Sequence, residues 1–264
     1  MTERPKIALW FRYGPADHAE LFHAMPQIVA ALAARAEVHY YGMRTATPLP
    51  DAIRAHAVLH FLPFRVDRTC TRDKVVKTAL WLLGLPFIAL DCRRRGVRAV
   101  YIDETIPFTA LLARIFFGRN VAITVADFFA DIYFTGAKAF LGRAIRALDL
   151  WSWKRLPLIF TRAGATRAFL ARHGIDPARV HPVYDPCDLT LYRPLPAEDR
   201  AAARRPYGYG PEDVVLVHHG ILHPNKGNDF VIRALAEMRA EFPRLRFLLV
   251  GDGPEMGRLR RLVR

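Results

Sequence analysis

Short runs of consecutive apolar residues alternate along this chain with longer stretches in which apolar residues recur every three or four positions. Ile7 to Phe11, Val38 to Tyr41, Val58 to Phe64, Val100 to Ile102, Val121 to Val125 and Leu158 to Thr161 read as strands. Ala19 to Ala34 carries Leu21, Phe22, Met25, Ile28, Val29 and Leu32 at helical spacing, Ala163 to His173 reads as another helix, and a further one begins near Pro107. Strands apolar on both faces, with helices between them, predict an α/β fold built on parallel sheets. The pattern returns near the end of the chain, where Val214 to His219 is a strand, Asp229 to Glu241 an amphipathic helix and Phe247 to Val250 a second strand. Each of those two strands runs into a glycine. Gly220 and Gly251 therefore open loops at carboxyl ends of parallel strands, where ligands of open α/β sheets collect and backbone can approach them closely. Lys226 stands just before the helix, so its ammonium and the free N–H groups of the first turn converge on one anion, a phosphate by preference.

Elsewhere the pattern is less regular. Thr78 to Leu90 is uncharged, rich in Leu, Trp and Phe, and interrupted by Gly84 and Pro86. It is shorter than the roughly 20 apolar residues that span a bilayer. Two readings stand: a buried helix that breaks at Pro86, or a surface patch that dips into a membrane with Arg93, Arg94, Arg95 and Arg98 at its edge. Val100 to Ile102 delivers Asp103 and Glu104 to a carboxyl strand end, and Val121 to Val125 delivers Asp127. Alternation along a strand lets at most one of Asp103 and Glu104 line a cleft. These carboxylates serve an acceptor or cap the following helix. Pro194, Pro196 and the polar run to Arg205 read as a linker, dividing a first domain, 1–195, from a linker and partial second domain, 196–264.

Composition changes the picture in one respect. The 264 residues are 52% hydrophobic and 24% charged, as in a globular rather than a disordered chain. The net charge of +14 is unusual and favours anionic partners. Between Phe134 and Pro182 the only acidic residues are Asp149 and Asp176, while arginines and lysines gather beside Phe140, Trp151 and Trp153. Such a mixture suits an anionic membrane surface or single-stranded nucleic acid. No recognition motif for nucleic acid accompanies it, so nucleic acid is the weaker reading. Cys70, Cys92 and Cys187 lack metal-like spacing and suit a reducing cytoplasm, and Met1 to Lys6 lead into the first strand without a signal-like apolar run. There is no P-loop and no Gly-x-Gly-x-x-Gly opening a helix.

Gly220 to Gly227 followed by Gly251-Asp252-Gly253-Pro254 resembles the donor-binding half of family 4 glycosyltransferases, which share the GT-B fold of two Rossmann-like domains. The resemblance implies that Lys226 grips the diphosphate of a nucleotide-sugar, with Gly220, Gly227, Gly251, Asp252 and Gly253 around it. It further implies that Gly14, in the loop after the first strand, approaches that diphosphate from the other domain. The family places an arginine after the first glycine, where this chain has Ile221, with His218, His219 and His223 nearby as substitutes. It also carries His-Asp where this chain has Ala126-Asp127. Thr161 stands at the family's usual serine and Asp188 at the aspartate of its Asn-Gly-Val-Asp turn, with Asp185-Pro186 in place of Asn-Gly.

The reaction so implied is transfer of a sugar from a nucleoside diphosphate sugar to a glycan or lipid-linked acceptor, with retention and without a metal or other cofactor. Asp127 and Asp103 are then the catalytic candidates and Glu104 an acceptor ligand. The family normally continues with further βα units and a pair of glutamates, so a chain cut short in its donor domain is the expectation. A GT-B sugar-nucleotide epimerase and a non-catalytic scaffold binding membrane or a partner are the alternatives. A cytoplasmic protein, peripheral at the inner face of the cell membrane, fits these readings.

Overall fold

The computed structural model describes residues 4–12, 25–44, 49–65, 71–103 (71–74 as backbone), 105–126, 128, 134, 136–184 (137 as backbone), 189–190 and 192–263. The chain divides into two compact units, Met1–Cys187 and Asp188–Arg264.

The first unit is built on seven strands: β1 (Lys6–Trp10), β2 (Glu37–Arg44), β3 (Ala57–Arg65), β4 (Ala99–Ile102), β5 (Val121–Val125), β6 (Leu158–Thr161) and β7 (Val180–Pro182). They lie in the order β3-β2-β1-β4-β5-β6-β7, and every pairing is parallel. The order turns around between β1 and β4, which creates the crevice at strand ends that open α/β sheets use for ligands. The helices are α1 (Met25–Ala33), α2 (Asp51–Arg54), α3 (Thr71–Arg94), α4 (Thr109–Phe117), α5 (Ala139–Trp153) and α6 (Gly164–Arg172). Alternation along the strands sorts the core into two layers. Trp10, Ile102, Ile123 and Ile159 face α3, α4 and α5, while Leu9, Val38 and Tyr40 face α1 and α2.

Two elements differ from the sequence pattern. Residues 71–94 form one unbroken helix through Pro86, where a break was expected. A proline inside a helix costs about 3 kcal/mol or more. That cost is offset because Trp81, Leu85, Ile88, Ala89 and Cys92 are all buried on the sheet along the same face. The helix also sits very close to β3: a Cβ at Gly84 would lie 2.4 Å from Leu62 Cδ1. The second difference lies in the stretch read as linker, which holds the helix α7 (Ala197–Arg204). Arg204 closes its end by donating to the carbonyls of Gly210 (3.1 Å) and Asp213 (2.9 Å).

The second unit also contains β8 (Val214–His219), α8 (Asn228–Met238), β9 (Leu245–Val250) and α9 (Met256–Leu262). Its two strands pair in parallel from Val214↔Leu245 to His219↔Val250. The βαβ unit read from the apolar pattern is therefore present. Leu222, Ile232 and Leu259 form its buried core, with Phe247 and Leu249 packed against them.

A buried carboxylate in the first unit sets a pH dependence. Asp149, on α5, is nearly enclosed and accepts from the backbone N–H of Phe108 at 3.3 Å, and Phe108 itself is left-handed with φ 66°. Burial pushes its pKa up to about 6. A folded-state value above the unfolded one means that this group favours folding below about pH 4 and loses that contribution as pH rises through about 6. Asp149→Asn keeps the accepting oxygen without the charge. It is expected to stabilise the first unit by on the order of 2 kcal/mol at pH 7.5, and by little at pH 4. Urea titrations at both pH values check this; an equal gain at both would remove Asp149 as its source.

Candidate active site

The loops after β8 and β9 are stitched together by backbone. Gly220 N–H donates to the Val250 carbonyl at 2.9 Å, Leu222 N–H to Asp252 at 2.9 Å, and Glu255 N–H to Leu222 at 3.0 Å. This is possible only because residue 251 is glycine: a Cβ there would lie 1.9 Å from the carbonyl oxygen of Gly220, and the backbone has φ 145°. The chain then makes a single 3-10 turn, Pro224–Lys226, and Gly227 takes a left-handed conformation (φ 65°, ψ 22°) to open α8. Gly227 accepts from Phe230 N–H at 3.1 Å as the first turn forms.

Several polar groups meet at that helix start. Lys226 is exposed immediately before it. Asn228, the first helical residue, is 4% exposed, and its side-chain Nδ2 is enclosed with no hydrogen-bond partner among the described residues. An enclosed amide without a partner costs about 1–3 kcal/mol. Asp229 would repel an anion here, but Arg258 of α9 holds it at 2.8 Å and keeps its carboxyl below the usual range. Arg258 also pairs with Glu255 at 2.7 Å, and Asp252 accepts from Gly253 N–H at 2.7 Å. The net result is a helix N-terminus with one exposed ammonium, one unspent amide donor and its nearest acids neutralised or occupied. Such an arrangement accepts a phosphate. Ile221, where the resembled family has arginine, is exposed, and His223 Nδ1 lies 2.9 Å from Asn225 Oδ1. The structure thus brings Gly220, Lys226, Gly227, Gly251, Asp252 and Gly253 into one pair of adjoining loops. Asn228 escaped the sequence reading, because an asparagine at a helix start is ordinarily only a cap.

In the first unit, Asp103 follows β4 at the turn-around of strand order, with its N–H 3.4 Å from the carbonyl of Trp10. Its carboxylate is almost wholly enclosed. It accepts from Tyr101 Oη at 2.8 Å and pairs with Arg162 at 3.2 Å, while Thr124 Oγ1 lies 2.6 Å from the same Tyr101 oxygen. Burial pushes the Asp103 carboxyl up, and Arg162, Tyr101 and Thr124 pull it back. Beside this network is a largely apolar cleft of about 370 Å³, bounded by Ile28, Ala31 and Leu32 of α1 and by Tyr101, Phe160 and Arg162 of the sheet. Arg162 follows β6 directly. The rule that located Asp103, a charged residue just past a strand, would have located Arg162 too. Glu104, Asp127 and Gly14, candidates of the sequence pattern, lie outside the described residues, as does Asp188.

No protein-family model matches the chain. A stretch of 88 residues is 46% identical to the D-inositol 3-phosphate glycosyltransferase of Rhodococcus jostii, covering 32% of this chain and 19% of that protein. A stretch of 75 residues is 40% identical to the D-inositol 3-phosphate glycosyltransferase of a Nocardioides species, covering 28% and 16%. Among solved structures, Anabaena Alr3699/HepE in complex with UDP-glucose superimposes with a TM-score of 0.62 at 18% identity, over 98% of this chain and 65% of that one. Sucrose-phosphate synthase from Thermosynechococcus elongatus gives 0.68 at 14% identity, over 98% and 66%. Every one of these matches spans less than two thirds of the relative's own length. The chain shares its fold with these solved structures, and about a third of its length resembles the named glycosyltransferases in sequence.

Proposed function

We propose that this chain moves a sugar from a nucleoside diphosphate sugar to a glycan or lipid-linked acceptor, with retention and without a metal cofactor. The observation that carries the reading is the start of α8, where exposed Lys226 and the Asn228 amide, without a partner among the described residues, meet a helix N-terminus. The physical need is for stabilisation of a leaving diphosphate. Negative charge develops on that group as an oxocarbenium-like centre forms, and fixed donors aimed at it lower the barrier most. A lysine and a helix N-terminus supply such donors without a metal. A nucleotide-sugar donor has support from the fold relative crystallised with UDP-glucose. The acceptor side belongs to the first unit in this reading, with Asp127 as the catalytic candidate and Glu104 as an acceptor ligand. The commitment of Asp103 to Tyr101 and Arg162 makes it a positioning group for Arg162 rather than a free base. A cytoplasmic protein, peripheral at the inner membrane face, is the location this reading implies.

The test is Lys226→Ala. It is expected to weaken UDP binding by about 1.5–3 kcal/mol, the range for hydrogen bonds to charged groups. Titration calorimetry on the whole protein measures it. Equal affinity in the two proteins would remove Lys226 from the donor site and, with it, the basis of this reading.

A further inference from the structure

The helix α3 has an outward face that no soluble helix needs. Its inward side is fixed to the sheet by Trp81, Leu85, Ile88 and Cys92. The residues that point away are Val75 (63% exposed), Val76, Ala79, Leu83 (69%), Phe87 (71%) and Leu90. From Val75 to Leu90 this face carries no charged residue, although the solvent side of a surface helix ordinarily carries most of its charge. Lys77, the one charge in the interval, is buried. The stripe is about 22 Å long at 1.5 Å per residue.

By length and composition Val75–Arg94 is apolar enough to cross a membrane. Its packing forbids that, since one whole side is committed to the core. What remains is a helix that lies in the plane of an interface. The surface beside it agrees. The helices α4 and α5 extend the same layer, packed on the same core, and expose Ile115 (69%) and Phe140 (67%). At the carboxyl end of α3, Arg93, Arg94 and Arg98 are exposed, and Arg119 follows α4 at the same edge of the sheet, where Asn120 and Arg98 flank the start of β4. Asp91, the acid nearest this end, is already held by Arg95 and Tyr41 at 2.7 Å each.

We propose that the outward face of α3, with its arginine edge, seats the protein on an anionic lipid bilayer. The charge decides the occupant. A chain of net charge +14 repels a second copy, whereas an anionic headgroup layer complements the arginines. The composition agrees, because the outward positions of the stripe carry no polar residue to set a register with a protein partner. Leu83 and Phe87 enter the headgroup–acyl boundary, and the arginines stay at phosphate level. The inference rests on the transferase reading for its purpose, access to a lipid-linked acceptor, but not for its test.

That test is co-sedimentation of the whole protein with phosphatidylcholine–phosphatidylglycerol vesicles and with pure phosphatidylcholine vesicles. Binding is expected to the anionic vesicles and to weaken as salt is raised. Leu83→Gln with Phe87→Gln, both at exposed sites, should reduce partition on the order of tenfold or more. Arg93→Gln with Arg94→Gln should remove much of the preference for anionic lipid. UDP affinity should be unchanged in both variants; vesicle binding by a protein that fails to bind UDP would leave this inference standing while removing the donor site. No vesicle binding by the unaltered protein, or full binding by the Leu83/Phe87 variant, would overturn the proposal. So would a dimer in lipid-free solution that the same variant dissolves, since the stripe would then belong to a second copy.

Discussion

Asp103→Ala is expected to destabilise the first unit by about 3 kcal/mol. Removing one member of a buried ion pair costs about 3–5 kcal/mol, because the other is left without its partner. The lower end applies because the Arg162 side chain is 20% exposed and can turn toward water, while Tyr101 keeps Thr124 as a partner. Asp103→Asn retains an oxygen for Tyr101 and should lose much less, about 1 kcal/mol. Urea unfolding followed by a probe in the first unit separates the two. A loss below about 1 kcal/mol for alanine would mean that the pair does not hold this end of the sheet. The asparagine variant carries the functional question as well. Were Asp103 to act as a base, its turnover would fall far more than its stability; a positioning role predicts that the two fall together.

Gly251→Ala is the second large effect, expected to cost the second unit about 2–6 kcal/mol. Backbone strain outside the region favoured by L-residues accounts for about 1–3 kcal/mol of it. Forcing a methyl group into filled space adds about 1–3 kcal/mol. The obstacle is the carbonyl oxygen of Gly220, 1.9 Å from the added carbon, and a backbone atom cannot rotate aside as a side chain can. Gly220→Ala makes the control, because a Cβ there meets nothing within 4 Å although φ is 129°. Scanning calorimetry should show the transition of the second unit lowered strongly by the first substitution and mildly by the second. UDP binding should fall with the first, since the loops that bracket Lys226 depend on this contact. Comparable melting of the two variants would show that the close approach is not what holds the loops together.

Much of this architecture is legible in residue order. Six strands of the first unit and both of the second were announced by apolar runs, because parallel strands between helical layers read as near-continuous apolar stretches; β1, β2 and β5 are buried along most of their length, while β8 keeps the pattern with much of its length exposed and β9 with most of it half-buried. Gly251 and Gly253 were legible for a related reason: a backbone that must approach another backbone admits one residue type, and that choice is written at a single position. Three things were settled elsewhere. Local propensity argued for a break at Pro86, and only the burial of five residues on one side of α3 outweighs it. The partnership of Asp103 with Arg162 joins residues 59 positions apart, brought together by the order β4-β5-β6 in the sheet. The same composition in Thr78 to Leu90 fits a core helix and a membrane-facing one equally well. Which side of each turn meets the sheet decides between them, and that depends on where β3 and α4 lie, so the exposed stripe of Leu83 and Phe87 emerges only when the chain is packed.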